Sequence, residues 1–298
     1  KRIEQAIKEL GYQPNIIARS LKQKKTMTIG VIVANILHVF STQVIRAIED
    51  YCNERDFHVI ICNAEDNPEK EKNYINMLRA KQVDGIIAFP TGGNIDLYKK
   101  LIEGNYPLVF MDRLVSEISV DAVLLDNEKA ADLAVSEFVK RGYRRIAMVT
   151  PPVDKNVTPR IERISGFKKS LKKHNLEYDP DYTVSGVINK IQPKLDKLFE
   201  LQEQPDALLA INDRVLFEVL KYTKKNGINI PKDLAVIGID DVSFASFYYP
   251  ALTTIAQPTF EMGKKAAELL LNKIFKKTEN EETKVYRFEP KLIVRSSC

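Results

Sequence analysis

The sequence predicts an α/β protein built from two doubly wound parallel-sheet lobes, and three observations support this prediction. Short, β-branched apolar runs alternate with longer segments of helical period from Thr28 onward, as they do in parallel sheets with crossover helices. The alternation fills two comparable blocks, at about 28–125 and 126–255. At 298 residues, the chain also reaches the size at which single cores stop growing, roughly 250–300 residues.

Seven apolar runs of four or five residues are predicted to be strands. Their nearly continuous apolarity is typical of strands that are covered on both faces. The predicted strands are 29–33, 58–61, 85–88, 108–111, 146–149, 207–211 and 235–239. Helices are predicted at 41–54, 69–80, 127–141, 160–173, 213–225 and 259–276, and a final strand pair near 284–295.

The positive charge of the chain is concentrated at its beginning. Residues 1–25 contain seven Lys/Arg and two Glu, so this segment carries the whole net charge of +5 and the remainder is balanced. Clustered basic residues bind an anionic polymer by releasing its counterions, which predicts nucleic acid as the partner. No apolar run approaches the ~20 residues that a membrane span needs, so a soluble protein without a membrane partner is expected.

The sequence contains few motifs that would indicate an enzyme. It has no Gly-x-Gly-x-x-Gly after a strand and no Gly-x-Ser-x-Gly, and Gly92-Gly93 is not followed by a phosphate-loop lysine. The three cysteines, Cys52, Cys62 and Cys298, lack metal-ligand spacing and suit a reducing cytoplasm. We therefore expect no catalytic residues, no cofactor and no metal.

Polar residues follow several of the predicted strands directly. They are Asp112, the pair Asn212-Asp213 and the pair Asp240-Asp241. Ligands bind at the carboxyl ends of strands in open α/β sheets, although Asp and Asn at these places can equally cap the next helix. We expect the first member of each pair to bind ligand and the second, Asp213 or Asp241, to be a cap.

The segment before the first strand has two predicted helices. Residues 1–10 form an amphipathic helix that ends at Gly11, and it is too short to bury its apolar face alone. The second helix, within 14–22, places Asn15, Ala18 and Leu21 on one face. Such a face could enter the minor groove of DNA with the leucine as a wedge, or it could be a linker helix packed on its own core.

Several motifs resemble those of the LacI/GalR family of transcriptional regulators, in order along the whole chain. They are Gly11-Tyr12-Gln13-Pro14-Asn15, Phe110-Met111-Asp112-Arg113, Arg163-Ile164-Ser165-Gly166-Phe167, Asn212-Asp213, Gly238-Ile239-Asp240-Asp241 and Pro250-Ala251-Leu252-Thr253-Thr254. The resemblance implies a periplasmic-binding-protein-like type I core preceded by a helix-turn-helix head and a hinge helix. It implies that Asn15, Ala18, Arg19 and Leu21 contact DNA. The first two helices of the head should precede Lys1. This chain is therefore expected to bind effector but not to bind operator DNA normally.

The resemblance also implies an effector cleft between the lobes. Arg163, Asn212 and Asp240 would bind effector from one lobe and Asp112 from the other, and this mixture of groups suits the hydroxyls of a carbohydrate. Aromatic rings cover the apolar side of a sugar, and Phe40 is the first candidate and Phe247 a weaker one.

A cluster of basic residues leaves the charge of the effector open. Arg160 and Arg163 share a helix face, and Arg113 is expected to approach from the opposite lobe, near Lys155. An anionic sugar, such as a sugar acid or sugar phosphate, would match these groups. In the alternative, Arg160 is solvated or is a structural partner of Glu162 or Asp154.

These observations predict a cytoplasmic, sugar-responsive regulator, most simply a repressor, that is a homodimer or a tetramer. The faces that join the subunits are expected on helices 41–54 and 69–80. A periplasmic-type sugar-binding transport receptor is the alternative, although the basic segment argues against it. The predicted division is 1–27 for the partial head and hinge, 28–125 with 256–284 for the N-terminal lobe, and 126–255 with 285–298 for the C-terminal lobe.

Overall fold

The computed structural model describes residues 25–153, 157–275 and 282–298. The predictions for the head and the hinge, including Asn15, Ala18, Arg19 and Leu21, lie outside the described residues, and so do those for Asp154 and Lys155. The described elements form two six-stranded sheets with helices between the strands, which confirms the α/β class and the two parallel-sheet lobes.

The elements follow one another in this order along the first half of the chain: β1 (Thr28–Val33), α1 (Val39–Asn53), β2 (His58–Asn63), α2 (Pro68–Ala80), β3 (Gly85–Ala88), α3 (Ile95–Glu103), β4 (Leu108–Met111), β5 (Ala122–Leu125), α4 (Asn127–Lys140), β6 (Ile146–Thr150) and α5 (Thr158–Lys173). The second half contains β7 (Thr183–Ser185), α6 (Gln192–Phe199), β8 (Ala207–Ala210), α7 (Asp213–Lys225), β9 (Ala235–Ile239), β10 (Thr253–Ala256), α8 (Thr259–Ile274), β11 (Val285–Phe288) and β12 (Lys291–Ile293).

The two sheets have the same arrangement of strands. The N-terminal sheet has the order β11-β5-β4-β3-β1-β2 and is parallel throughout. The C-terminal sheet has the order β12-β10-β9-β8-β6-β7, in which β12 alone of the described strands runs antiparallel. The strands β1, β3, β4, β6, β8 and β9 are almost wholly buried, as their apolar runs predict.

The end of the chain is divided between the lobes differently from the prediction. The strand β11, at 285–288, pairs in parallel with β5 and so belongs to the N-terminal sheet, whereas 285–298 was expected in the C-terminal lobe. The chain crosses from the N-terminal lobe to the C-terminal lobe between Phe288 and Lys291, and β12 then pairs with β10. The reason is that β11 extends the exposed edge of β5, a pairing that an apolar pattern of four residues does not specify.

A close approach of two helices supports the C-terminal lobe. The helix α4 packs along α5, and a Cβ atom added at Gly166 of α5 would lie 2.5 Å from the carbonyl oxygen of Glu128 in α4. Because the obstacle is backbone, it cannot move aside easily. The glycine therefore lets α5 lie close enough to α4 for side chains of the two helices to meet.

We expect Gly166→Ala to destabilise the protein by about 1–3 kcal/mol, since the added methyl group forces the two helices apart. The shift of the urea unfolding midpoint would measure this cost. Gly186→Ala is the control, because its Cβ would meet the flexible Lys194 side chain at 3.2 Å. Equal stability of the two variants would contradict the proposed close packing.

Candidate functional site

A cleft of about 540 Å³, including its open mouth, lies between the two lobes at the carboxyl ends of their strands. Seven of the eight predicted effector residues line it together: Phe40, Asp112, Arg113, Arg160, Arg163, Asn212 and Asp240. They come from five separate segments of the sequence, so the topology of the two sheets brings them together.

Two aspartates occupy equivalent positions in the two lobes. Asp112 follows β4, and Asp240 follows β9. Both have left-handed backbone, with φ of 67° and 86°, which is uncommon for residues other than glycine. Each is held there by its own N–H, which donates to Val123 at 2.8 Å or to Ile255 at 3.0 Å on the neighbouring strand. The turn after each strand thus brings a carboxylate into the cleft.

The carboxylate of Asp240 is buried and accepts two hydrogen bonds. Its Oδ1 accepts from Gln257 Nε2 at 2.6 Å, and its Oδ2 accepts from the N–H of Asp213 at 3.1 Å. Burial raises the pKa of Asp240, and the negative charge of Asp213 raises it further. Burial likewise raises the pKa of Asp112, although Arg113 and Arg163 oppose the shift. Both carboxylates would therefore gain from hydrogen bonds that a ligand donates to them.

Arg163 is held in the floor of the cleft by two neighbours in its own lobe. Its Nε donates to Asn127 Oδ1 at 2.9 Å, and its Nη1 donates to the carbonyl of Ile211 at 2.5 Å. The side chain is 5% exposed. These bonds fix the plane of the guanidinium group, which leaves its remaining N–H groups with a defined direction.

Arg113 and Arg160 meet at one carboxylate, that of Asp66. Arg113 Nη1 lies 2.5 Å from Asp66 Oδ1, and Arg160 Nη2 lies 3.3 Å from Asp66 Oδ2. Arg160 also donates to the carbonyl of Pro152 at 3.1 Å. Burial alone would raise the pKa of Asp66, but the two arginines lower it on balance. The predicted approach of Arg113 to Arg160 is thus observed, with a carboxylate between them.

The structure does not place Arg160 beside Glu162, which was one of its alternative partners. Glu162 instead accepts from Arg287 at 2.7 Å and from Asn127 at 3.0 Å.

In the pair Asn212-Asp213, the first residue was expected to bind ligand and the second to cap a helix, and the structure partly reverses these roles. Asn212 is the N-cap of α7 and accepts from the N–H of Val215 at 2.8 Å, while its side chain also lines the cleft. Asp213 was expected to be that cap, but its carboxylate reaches the other lobe. It lies 2.6 Å from His38 Nδ1 and accepts from the N–H of Val39 at 2.8 Å. A side chain of the C-terminal lobe therefore caps α1 of the N-terminal lobe.

Asp213 has a lowered pKa for this reason. Burial would raise the pKa, but the hydrogen bond and the charge of His38 outweigh it. A third contact between the lobes joins the N–H of Leu114 to Thr158 Oγ1 at 2.9 Å. Together with the Asp66–Arg160 pair, these contacts close the cleft along its length.

The aromatic wall of the cleft is formed by Phe40 and Phe89, whose rings meet edge to face at 6.3 Å. The prediction for Phe247 is wrong, because this ring is 76% exposed and does not line the cleft. The loop after β9 turns outward beyond Asp240, so a short separation in sequence does not bring the ring back to the site.

Sequence reasoning missed four residues of the site: Asp66, Phe89, Asp213 in its contact with the other lobe, and Gln257. Asp66 and Phe89 follow the carboxyl ends of β2 and β3, so the rule applied to Asp112 could have identified them. Nothing in the sequence identifies Gln257, which lies where the chain crosses between the lobes.

The part of the chain that the structure describes contains no group of three or more His, Cys, Asp or Glu residues suited to a metal ion. None of the helices in 25–153, 157–275 and 282–298 combines the length and apolarity required to span a membrane.

Comparisons with known proteins agree with this architecture. Residues 135–298 match the model of the periplasmic binding protein-like domain. The chain is 47% identical to the probable HTH-type transcriptional regulator EndR of Paenibacillus polymyxa, covering all of this chain and 88% of that protein. It is 33% identical to the HTH-type transcriptional repressor PurR of Aliivibrio fischeri strain MJ11, again over the whole chain and 88% of the relative.

A solved structure extends the similarity to the fold. The complex of the transcriptional regulator CelR with cellobiose superposes with a TM-score of 0.80 and 26% identity, covering 99% of this chain and 89% of that one. These relatives are named as regulators of transcription. The chain therefore belongs to the LacI family of HTH-type transcriptional regulators.

Proposed function

We propose that the cleft binds a neutral carbohydrate and that this binding controls the contact of the regulator with operator DNA. The observation that carries the proposal is a charge-balanced cleft that contains buried polar atoms without hydrogen-bond partners. Arg113 Nε and Gln257 Oε1 are such atoms among the described residues. One is a donor and the other an acceptor, as the hydroxyls of a sugar require.

The charges of the cleft favour a neutral effector over an anionic one, which revises the hypothesis drawn from the sequence. The guanidinium groups of Arg113, Arg160 and Arg163 are accompanied by four carboxylates, those of Asp66, Asp112, Asp213 and Asp240, among the described residues. Each of these guanidinium groups therefore already has a carboxylate near it, and an added anion would be repelled by these carboxylates in a buried site. Hydroxyl groups, by contrast, can donate to Asp112 and Asp240, while the Phe40–Phe89 wall covers the apolar face of a ring. The cellobiose complex of CelR gives a precedent for a neutral sugar within the fold.

Closure of the lobes would connect the effector to DNA. An effector that bridges Asp112 on one lobe and Arg163, Asn212 and Asp240 on the other favours one angle between the lobes. That angle sets the position of the segment before β1, to which we assign the DNA contacts of Asn15, Ala18, Arg19 and Leu21. We propose that the protein has no enzymatic activity, needs no cofactor and works in the cytoplasm, where its DNA target lies.

Calorimetric titration with neutral mono- and disaccharides, including cellobiose, and with their acid counterparts would test the ligand class. We expect a neutral sugar to bind and Asp240→Asn to weaken its binding by about 10- to 100-fold, because a charged hydrogen-bond acceptor is lost. Asp241→Asn is the control, since that carboxylate faces Arg295 at 2.8 Å. Tight binding of the acids alone would refute the proposal.

The contact between lobes through Asp213 predicts a measurable change of lobe angle. Spin labels at Lys100→Cys and Lys197→Cys, on exposed faces of α3 and α6, would report the distance between the lobes. Asp213→Ala should shift this distance towards an open, broader distribution and weaken effector binding about 5-fold or more. Asp132→Ala, which removes a carboxylate bonded within one lobe, should leave both quantities unchanged. An unaltered distance in Asp213→Ala would contradict the role of this contact.

We also propose a homodimer, because a palindromic operator presents two equal half-sites. The faces expected on α1 and α2 remain a prediction. The C-terminal lobe adds the exposed rings of Phe217 and Phe247. Phe217 lines a groove with the half-buried Phe244 and with Leu37. Exposed apolar surface of this kind is typical of subunit interfaces.

Sedimentation velocity would test the interface. Phe217→Asp and Phe247→Asp together should convert a dimer into a monomer, because charges would be buried at the contact. Phe260→Asp, at a ring that is similarly exposed on α8, is the control. A dimer that survives the double substitution would exclude this surface.

A further inference from the structure

Asp66 occupies an unusual position at the end of the cleft. Its carboxylate is shared by two guanidinium groups, that of Arg113 on its own lobe and that of Arg160 on the opposite lobe. Neither the motifs nor the comparisons assign it a role. It lies in the loop between the carboxyl end of β2 and α2.

The backbone of this loop is shaped to present the carboxylate. Glu65 and Asp66 both have left-handed backbone, with φ of 55° and 54°. The N–H of Asp66 donates to the carbonyl of Ala34 at 2.9 Å, and Asn67 then caps α2. Two successive residues other than glycine in this conformation carry a conformational cost, which the loop sustains while Asp66 points at the arginines.

The two arginines would form a strong anion site if Asp66 carried no charge. Arg160 is largely buried, and both burial and the nearby charge of Arg113 lower its pKa. Arg113 is 7% exposed, and its Nε lies 3.7 Å from Asp112 Oδ2 without a hydrogen bond among the described residues. Without the carboxylate of Asp66, the N–H groups that now donate to it would be directed at one point, where they match the geometry of a phosphate or a carboxylate.

We propose that Asp66 determines the charge specificity of the cleft: its carboxylate occupies the place that an anionic ligand would take between Arg113 and Arg160, so that neutral ligands are selected. This inference deepens the proposed function and rests on it for the identity of the ligand, but the exclusion of anions can be tested without knowing the sugar. Removing the charge of Asp66 should turn the same two arginines into an anion site.

The test uses inorganic phosphate as the probe. Calorimetric titration at pH 7.5 should give phosphate binding to Asp66→Asn at least about tenfold tighter than to the wild-type protein, since charge-assisted bonds replace those of the carboxylate. Asparagine tolerates left-handed backbone, so this variant keeps the loop. Asp66→Gly also accepts this conformation and leaves more space between the two arginines. We expect it to bind phosphate more tightly than the wild-type protein by a similar factor.

Two controls separate specificity from a structural effect. Glu65→Gln removes the adjacent carboxylate, which pairs with Lys70 outside the cleft, and should leave phosphate binding unchanged. Arg160→Ala combined with Asp66→Asn should abolish the gain. A merely structural role of Asp66 would weaken all ligands and would not create a preference for phosphate.

The proposal is overturned if wild type and both Asp66 variants bind phosphate equally, or if the gain survives the loss of Arg160. If no neutral sugar bound the wild-type protein, the proposed function would be refuted instead. The comparison of phosphate binding between the variants would still test the role of Asp66.

Discussion

Guanidinium groups that are shielded from water need carboxylates beside them, and this requirement organises the cleft. Taking a charge out of water costs several kcal/mol unless it is paired and hydrogen-bonded. Arg113 and Arg160 meet that condition through Asp66, and Arg163 through Asn127, the carbonyl of Ile211 and its proximity to Asp112 and Asp240. The proposed ligand site is therefore also a network in which removing one member leaves another unpaired.

The same network holds the lobes together, so recognition and closure share their residues. Asp66 joins the lobes through Arg160, and Asp213 joins them through His38 and the first N–H of α1. Asp213 also donates its own N–H to Asp240. A ligand that displaces or strengthens any of these bonds changes the energy of closure directly, without a long chain of intermediate contacts.

Much of the fold could be predicted because apolar runs and helical periods are local signals. The strands that were missed, β5, β7 and β10, have three or four residues each, and β11 joins a sheet through an edge pairing that depends on distant residues. In the site, Asp112, Asn212 and Asp240 follow from the rule that ligands lie at strand ends. The contact of Asp213 with His38 spans 175 residues of sequence, and the charge balance through Asp66 requires the lobes to be closed. Neither the Asp213–His38 contact nor the pairing of the arginines through Asp66 is encoded in a local sequence pattern.

Within residues 25–153, 157–275 and 282–298, the chain passes between the lobes three times, after β5, after β10 and after β11. A single tether would let the lobes twist and slide freely, but three neighbouring tethers remove most of those motions and leave bending about one axis. Under the proposed function, ligand binding would therefore change mainly one angle between the lobes. The crossings would fix the direction of that rotation, and the ligand would set only its extent.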